Sequence, residues 1–415
     1  MNEIDDIYVD KLVRQYGSPL FIVSADAVKR NIRAFKNGFS KEYPNTEVAY
    51  AYKANYLLGV LDLIHKEGAW AEVASGFEYE LARTLGVPGK SIVFNGPYKR
   101  KDELRKASEE GALINVDNIY ELKLLGEIAL ELGNPIEIGI RINADLGIRQ
   151  EADRFGFNLE SGEALGIVSA CLKDKLLKIV GLHIHLTSYI IESEGAENPV
   201  PAKWIKLIWP KDAGLYRVAS EKLARFAEEI RNKFGVTINY IDMGGGFPNV
   251  DFLGPYVEAI IEPILNEFKR KLPILIMEPG RAIVKNSIDL IATVVGIKEF
   301  PDGKRGIIID AGTNLLPDSY WTFQEIEPVT SSEGSLKDTT VYGPLCLQTD
   351  IIGRVKLPQL KVGDRVVIKS VGAYNISQSS PFIFPRPSVL LIEDGGVRVL
   401  RRSETISDIF LLENM

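Results

Sequence analysis

Between about residue 47 and residue 285, short apolar runs alternate with amphipathic stretches. This beat limits what the chain can fold into more than any other feature. The strand-like runs are Val48–Tyr52, Ala71–Val73, Ser91–Phe94, Leu113–Val116, Glu137–Ile142, Leu182–His185, Tyr240–Met243 and Ile274–Met277. Helical stretches such as Tyr56–Glu67, Gly76–Leu85, Lys101–Glu110 and Asn118–Leu132 fall between them. Buried strands that alternate with helices make a parallel sheet covered on its faces. Eight such units predict an α/β fold with a closed (β/α)8, TIM-type barrel. A doubly wound open sheet is the alternative.

With 415 residues, the chain exceeds the size at which a single core usually divides. A second domain is therefore expected, and the rhythm does change after about residue 285. Ser287–Val295, Arg305–Asp310, Thr339–Val341, Arg365–Lys369, Ser388–Ile392 and Arg398–Arg401 read as strands with no long helix between them. Asp302-Gly303 and Asp394-Gly395-Gly396 carry hairpin turn chemistry. An isolated early strand, Leu20–Val23, is expected to join this β domain, and Ser24 reads as the N-cap of the next helix. The expected division is 26–284 for the barrel and 1–25 with 285–415 for the β domain.

The net charge of −7 argues against a nucleic-acid scaffold, and no apolar run of membrane-spanning length appears. Two cysteines cannot make a disulfide framework, and the acidic N-terminus lacks an apolar signal core. A cytoplasmic enzyme is the simplest expectation.

Lys53 stands in Ala49-Tyr50-Ala51-Tyr52-Lys53-Ala54-Asn55, at the end of the first predicted barrel strand. Burial penalises the charged amine and favours the neutral form needed to capture an aldehyde. A lysine whose stem is buried while its head reaches water fits the same stretch. Other polar or glycine-rich groups occupy or follow the later strands: Glu72, His183 and His185, Gly244-Gly245-Gly246, and Glu278-Pro279-Gly280-Arg281. Barrel enzymes build their sites at these strand ends. The glycines suit either close approach to an anion or a tight turn. Arg281 suits a phosphate or a surface ion pair. His183 and His185 suit a metal or a ring stacked on a flat cofactor, but no familiar spacing supplies a third metal ligand, so no metal is expected. His65 reads as a helix-surface residue. A lysine, a phosphate cradle, a stacking imidazole and a carboxylate together suggest pyridoxal phosphate, with Lys53 forming the aldimine and Glu278 near the ring nitrogen. The connection of roughly 30 residues after His185 contains Trp204 and Trp209 and is longer than idle loops usually are.

Several motifs occur together in a familiar order. They are Tyr52-Lys53-Ala54-Asn55, Glu72-Val73-Ala74-Ser75, Arg154-Phe155-Gly156, His183-Ile184-His185, Gly244-Gly245-Gly246-Phe247, Glu278-Pro279-Gly280-Arg281, Asp310-Ala311-Gly312, Gly343-Pro344-Leu345-Cys346 and Gly372-Ala373-Tyr374. In this the chain resembles the fold-type III pyridoxal-phosphate decarboxylases, the diaminopimelate decarboxylases most closely, from about Tyr16 to Leu391. The resemblance implies a barrel plus β domain, decarboxylation of an amino acid, and a homodimer with shared active sites. It implies that Lys53 is the Schiff-base lysine, His185 stacks on the ring and Glu278 faces its nitrogen. Ser188, Gly245, Gly246, Gly280, Arg281 and Tyr374 would hold the cofactor's phosphate end, with Glu72 and Arg141 as supporting charges. Cys346 would reach the partner's site and act in protonation, and Tyr320, Gln348 and Tyr374 would line the substrate.

The chain departs from the family where the far end of diaminopimelate is gripped. The run Cys346-Leu347-Gln348-Thr349-Asp350 lacks the usual glutamate, and Thr313–Tyr320 lacks the usual arginine. Thr187 replaces a glycine before Ser188. The resemblance thus implies decarboxylation but does not specify diaminopimelate, and the 189–214 loop is a candidate for a different grip. Racemisation is the alternative reaction, although no matching tyrosine-base motif is present. A non-catalytic relative on the same scaffold is the third reading.

Overall fold

Eight parallel strands close into a barrel in the computed structural model, which describes residues 6–147, 154–186, 190–192, 206–208, 213–268, 271–301, 303–329 and 335–413. The strands are Thr46–Ala51, Trp70–Val73, Ile92–Phe94, Leu113–Val116, Ile136–Asn143, Leu177–His183, Tyr240–Asp242 and Ile274–Met277. Each pairs with the next in parallel, and Leu275–Met277 pairs back onto Thr46–Val48 to close the ring. That last pairing excludes the open sheet. The sequence places the first strand's end too late: pairing stops at Ala51, and Lys53 sits in the 3-10 turn Tyr52–Ala54.

Local chemistry sets the helix ends. Ser24 caps Ala25–Ser40 by accepting from the Ala27 amide at 3.2 Å, as expected. Asn118 caps Ile119–Leu132 by accepting from Tyr120 and Glu121, and Gly133 ends that helix in the left-handed region.

An apolar layer fills the barrel interior, with Ala49, Val93, Tyr240 and Ile276 in one buried cluster. Tyr240 needs two glycines to make room. An added Cβ at Gly181 would lie 2.0 Å from its Cζ, and one at Gly139 would lie 2.2 Å from its hydroxyl oxygen. The hydroxyl donates to Asn115 Oδ1 at 2.8 Å, so the ring is held at both ends.

The second body is a mostly antiparallel sheet. Leu20–Ser24 lies inside it, antiparallel to Ile288–Glu299 and parallel to Val389–Glu393. The expected pairing of the early strand with the β domain is therefore present. Asp394 and Gly395 take positive φ in the hairpin joining Val389–Glu393 to Gly396–Arg401. Asp302 of the other expected hairpin lies outside the described residues.

Within the β domain, two described strands escape the sequence reading, Ile326–Pro328 and Ile351–Leu357. The latter is an edge strand with Gly353 inside it, where the Gln324 carbonyl approaches to 2.9 Å of an added Cβ. In the long connection, Ile190–Glu192 pairs with Lys206–Ile208. Trp204 and Trp209 lie outside the described residues. No described helix is long and apolar enough to cross a membrane.

Gly181→Ala forces its methyl into the Tyr240 ring and is expected to cost roughly 1–3 kcal/mol of stability. Urea unfolding checks this, as a lower midpoint at an unchanged slope.

Candidate active site

The turn after the first barrel strand is clamped by the β domain. The Tyr374 amide donates to Ala54 O at 2.8 Å, Ser377 Oγ donates to Lys53 O at 2.9 Å, and Asn55 Nδ2 donates to Gly372 O at 2.9 Å. Gly280 packs from the other side, where an added Cβ would meet Ala54 Cβ at 2.8 Å. Lys53 thus has its backbone fixed by two domains, and its amine points into a polar layer at the barrel mouth.

That layer is a connected network. Lys53 Nζ donates to Glu72 Oε2 in a short ion pair. Asn95 Nδ2 bridges Glu72 Oε1 at 3.2 Å and Glu278 Oε1 at 2.5 Å. Asn115 donates to Asn95 Oδ1 at 2.9 Å and to Asp242 Oδ2 at 3.1 Å. Glu72, Asn95, Asn115, Asp242 and Glu278 are all buried.

Burial works against the charge on Lys53, but Glu72, Glu278 and Tyr374 outweigh it and hold the amine above its ordinary value. The neutral lysine expected from the sequence is therefore not what this setting favours. The sequence suggests burial but cannot show how many carboxylates converge on the amine.

His183 ends the sixth strand and His185 follows two residues later. His183 is buried, and burial pushes its imidazole well below the ordinary value, so it is neutral. His185 Nδ1 accepts the Gly245 amide at 3.1 Å, which fixes the ring. Both histidines approach Glu278 Oε2, at 3.8 and 3.9 Å, too far for a hydrogen bond. Together with Glu278 they could hold a metal ion by proximity. However, the Gly245 amide already occupies the His185 nitrogen that faces Glu278.

The glycine triplet is only partly an anion cradle. An added Cβ at Gly244 would meet Ile184 O at 2.5 Å, and one at Gly245 would meet Glu278 O at 2.6 Å. Close packing of three strand ends demands these two glycines. Gly246 takes φ +91° and turns the chain onward. Phe247 then packs into an aromatic cluster with Phe35, Phe39, Tyr216 and Tyr256, and Tyr216 donates to Gly245 O at 2.8 Å.

Arg281 is buried beside this turn. Its guanidinium lies 5.0 Å from the Tyr374 ring centroid and 3.7 Å from Asp318. Arg141 pairs with Asp117 at 3.2 Å and stacks 4.4 Å from the Phe155 ring, next in register to His183. Ser188 lies outside the described residues. Thr313 Oγ1 donates to the Tyr320 hydroxyl at 3.0 Å, and Tyr320 borders a cavity farther out. Cys346 and Gln348 are exposed in the β domain. His65 is not a plain surface residue: Nδ1–H donates to Ala69 O at 2.9 Å and Nε2 accepts from Tyr52 at 2.7 Å.

These residues fit pyridoxal phosphate. Glu278 Oε2 is buried with no N–H donor within hydrogen-bond distance among the described residues, as a partner for a ring N–H would be. The family described as "Pyridoxal-dependent decarboxylase, pyridoxal binding domain" matches residues 26–201 and 210–285. The chain belongs to this family. It is 31% identical to diaminopimelate decarboxylase of Methanocaldococcus jannaschii, over 98% of this chain and 93% of the relative. It is 28% identical to the Bacillus subtilis enzyme of the same name, over 99% and 94%. A crystal structure of diaminopimelate decarboxylase from M. jannaschii superposes with TM-score 0.86 at 30% identity, covering 98% of this chain and 94% of that one. The fold also matches lysine/ornithine decarboxylase from Vibrio vulnificus, with TM-score 0.75 at 23% identity, covering 93% and 97%. As a pyridoxal-dependent decarboxylase, the protein is a carboxy-lyase acting on an amino acid.

The sequence alone does not single out Asn95, Asn115 or Asp242. The available signal is a polar residue in or just after an otherwise apolar barrel strand, as in Ile92-Val93-Phe94-Asn95.

Glu72→Gln removes the nearest charge that opposes desolvation of Lys53, so the amine's pKa should fall. Labelling of apoenzyme Lys53 by an amine-directed reagent below its pKa should speed up roughly tenfold per unit of that fall. The pH profile of labelling checks the direction.

Proposed function

We propose that the enzyme decarboxylates an α-amino acid whose far end is uncharged. The observation that carries this reading is a cavity of about 280 Å³ lined by Thr313, Asn314, Pro317, Tyr320, Leu345, Gln378, Ser380 and Phe382. No acidic or basic side chain is among them. Gln378 follows Ser377, whose hydroxyl holds the Lys53 carbonyl, so one short segment connects the cavity lining to the Lys53 turn. A zwitterionic end placed there would lose its water without gaining counter-charges, which a site discriminates against strongly. Diaminopimelate has such an end.

The matched family segment supports residues 26–284 as the cofactor-binding barrel and 1–25 with 285–415 as the β domain. Pyridoxal phosphate, when bound, supplies the electron sink that lets the α-carboxylate leave as CO2. In this reading the Lys53 amine would hold the cofactor, and Glu72 would keep that amine charged and oriented. Glu278 accepts the ring N–H, and the His185 ring, locked by the Gly245 amide, packs on the cofactor face. Arg281, Tyr374 and the backbone at Gly245, Gly246 and Gly280 surround the phosphate, with Ser188 beside them. Arg141 supplies a supporting charge near His183. Cys346 protonates the α-carbon after CO2 leaves, while Tyr320, Gln348 and Tyr374 contact substrate. The same family match favours carboxyl loss over racemisation.

Cys346 is exposed on its own chain, which suits a residue that serves the site of a second copy. Phe382, Ile383 and Phe384 are also exposed, as are Trp321 and Leu347, which adjoin the cavity residues Tyr320 and Leu345. Such apolar exposure calls for cover, and a homodimer supplies it. Two free cysteines suit a reducing cytoplasm.

A CO2-release screen over D- and L-amino acids and the diaminopimelate isomers, with pyridoxal phosphate added, tests the substrate class. Faster release from amino acids with neutral far ends is expected, and diaminopimelate as the best substrate would overturn the reading. Lys53→Ala should lower the rate by roughly two orders of magnitude or more. Ile383→Asp should shift sedimentation toward the monomer.

A further inference from the structure

Ser377 meets the Lys53 turn at the carbonyl of Lys53 itself. It lies half-buried in the short helix Asn375–Gln378, with Oγ 2.9 Å from Lys53 O and 3.4 Å from Ala54 O. A hydroxyl has one proton to donate, so the shorter contact takes it. The next carbonyl is held separately, because Ala54 O accepts the Tyr374 amide at 2.8 Å. The two peptide planes that follow the Lys53 Cα are thus fixed from the β domain, the first by a side chain and the second by backbone.

Ser377 is anchored on both sides. Its carbonyl accepts the Tyr56 hydroxyl from the barrel at 3.0 Å. Behind it, Asn375 is buried and uses both ends of its amide: Nδ2 donates to Val371 O at 3.1 Å, and Oδ1 accepts the Asp318 amide at 3.0 Å. Ser379 Oγ donates to Ile376 O at 2.8 Å, and the Ser380 amide donates to Asn314 O at 3.0 Å. The helix is entered through Tyr374, a residue with a side chain that nevertheless takes φ +62°. Such a backbone persists only where its surroundings impose it, and it is concentrated at functional sites.

The Lys53 amine has a second hold, its ion pair with Glu72. That hold acts on the charged amine. An amine that attacks an aldehyde is neutral, and it has then lost the ion pair. The Ser377 bond is made to the backbone and does not depend on the charge of the side chain, so it is the hold that persists. Position is decisive at this stage. The amine stands about 6 Å from its Cα, so about 10° of backbone rotation moves it by about 1 Å. A displacement of that size is enough to slow a reaction that needs near-attack geometry.

We propose that Ser377 is a positioning residue, whose hydroxyl fixes the Lys53 peptide so that the neutral amine meets the cofactor's aldehyde. Capture joins Nζ to the aldehyde carbon and expels the aldehyde oxygen as water, together with the two amine hydrogens. The proposal rests on Lys53 being the capturing residue.

Two forms of the cofactor separate positioning from general damage to the pocket. Pyridoxal phosphate carries the aldehyde, whereas pyridoxamine phosphate has the same ring and phosphate but an amine in its place, and Lys53 cannot capture it. Ser377→Ala apoenzyme should bind pyridoxamine phosphate with a Kd close to wild type in a fluorescence titration. Its capture of pyridoxal phosphate, followed as growth of the visible absorbance band, should slow roughly tenfold. Ser377→Thr keeps a hydroxyl and should restore most of the rate. An unchanged capture rate in Ser377→Ala would overturn the proposal. So would an equal weakening of both ligands, or a Ser377→Thr protein as slow as Ser377→Ala. Borohydride reduction of loaded wild-type enzyme, followed by peptide mapping, tells the two possible failures apart. Absence of label on Lys53 sinks the capturing role of Lys53 and the proposal with it. Label on Lys53 with unslowed capture in Ser377→Ala sinks the proposal alone.

Discussion

One half-buried cation and three buried carboxyl groups share a layer at the mouth of the barrel, and the rest of the structure is arranged to tolerate them. Lys53 pairs with Glu72, and the side chains of Asn95 and Asn115 link Glu72 to Glu278 and Asp242. In a medium of low dielectric each unpaired charge would cost several kcal/mol. The amides solve this by orientation. Tyr240 fixes Asn115, Asn115 fixes Asn95, and the donors that remain all point at carboxylates. The apolar layer below supports the polar one, because the same Tyr240 ring that packs against Gly139 and Gly181 carries the hydroxyl that orders the amides.

Holding that layer in register requires the second domain. The Lys53 turn leaves the sheet at Ala51, so the barrel alone does not fix it. Its backbone bonds go instead to the 372–377 segment of the β domain. That segment follows the strand Arg365–Ile368, which pairs with Ile288–Glu299, and Ile288–Glu299 pairs with the N-terminal strand Leu20–Ser24. The first strand of the chain therefore connects, through two pairings, to the position of the Lys53 amine. Contacts of such long sequence separation are expensive in chain entropy to form, and they are repaid by burial of the whole sheet face.

The barrel is legible in the sequence because its strands are buried on both sides and read as short apolar runs. Leu113–Val116 and Ile274–Met277 appear with the expected bounds. Ile351–Leu357 does not read as a strand, because it lies on a sheet edge, is interrupted by Gly353 and carries Arg354 and Lys356 exposed. In the site, Lys53, Glu278 and Arg281 stand out as charges beside apolar runs. Asn95 and Asp242 do not, since a neutral amide or a lone acid after a strand looks like an ordinary turn residue. Their meaning lies in which other strands face them, and that is a property of barrel closure. The charge state of Lys53 is hidden for the same reason: its own neighbours in sequence are apolar, and the acids that hold its proton arrive from the second and eighth strands.

The loops at the substrate end show how chemistry and specificity can separate on one scaffold. Asp350 is buried and accepts the Thr313 amide at 2.7 Å and the Leu345 amide at 2.8 Å, one oxygen to each. Gly343 is required beside it, since an added Cβ would lie 2.2 Å from the Asp350 carboxylate. This one side chain ties the loop bearing Cys346 to the segment lining the cavity, using backbone amides alone. Side chains between those anchors can change without moving them. Leu347, Gln348 and the 314–320 segment lie beside such anchors, whereas Lys53, Glu72 and Glu278 belong to a network in which each member satisfies another. Substitution is cheap in the first setting and costly in the second, and so the residues around the cavity can diverge while the Lys53 network stays intact.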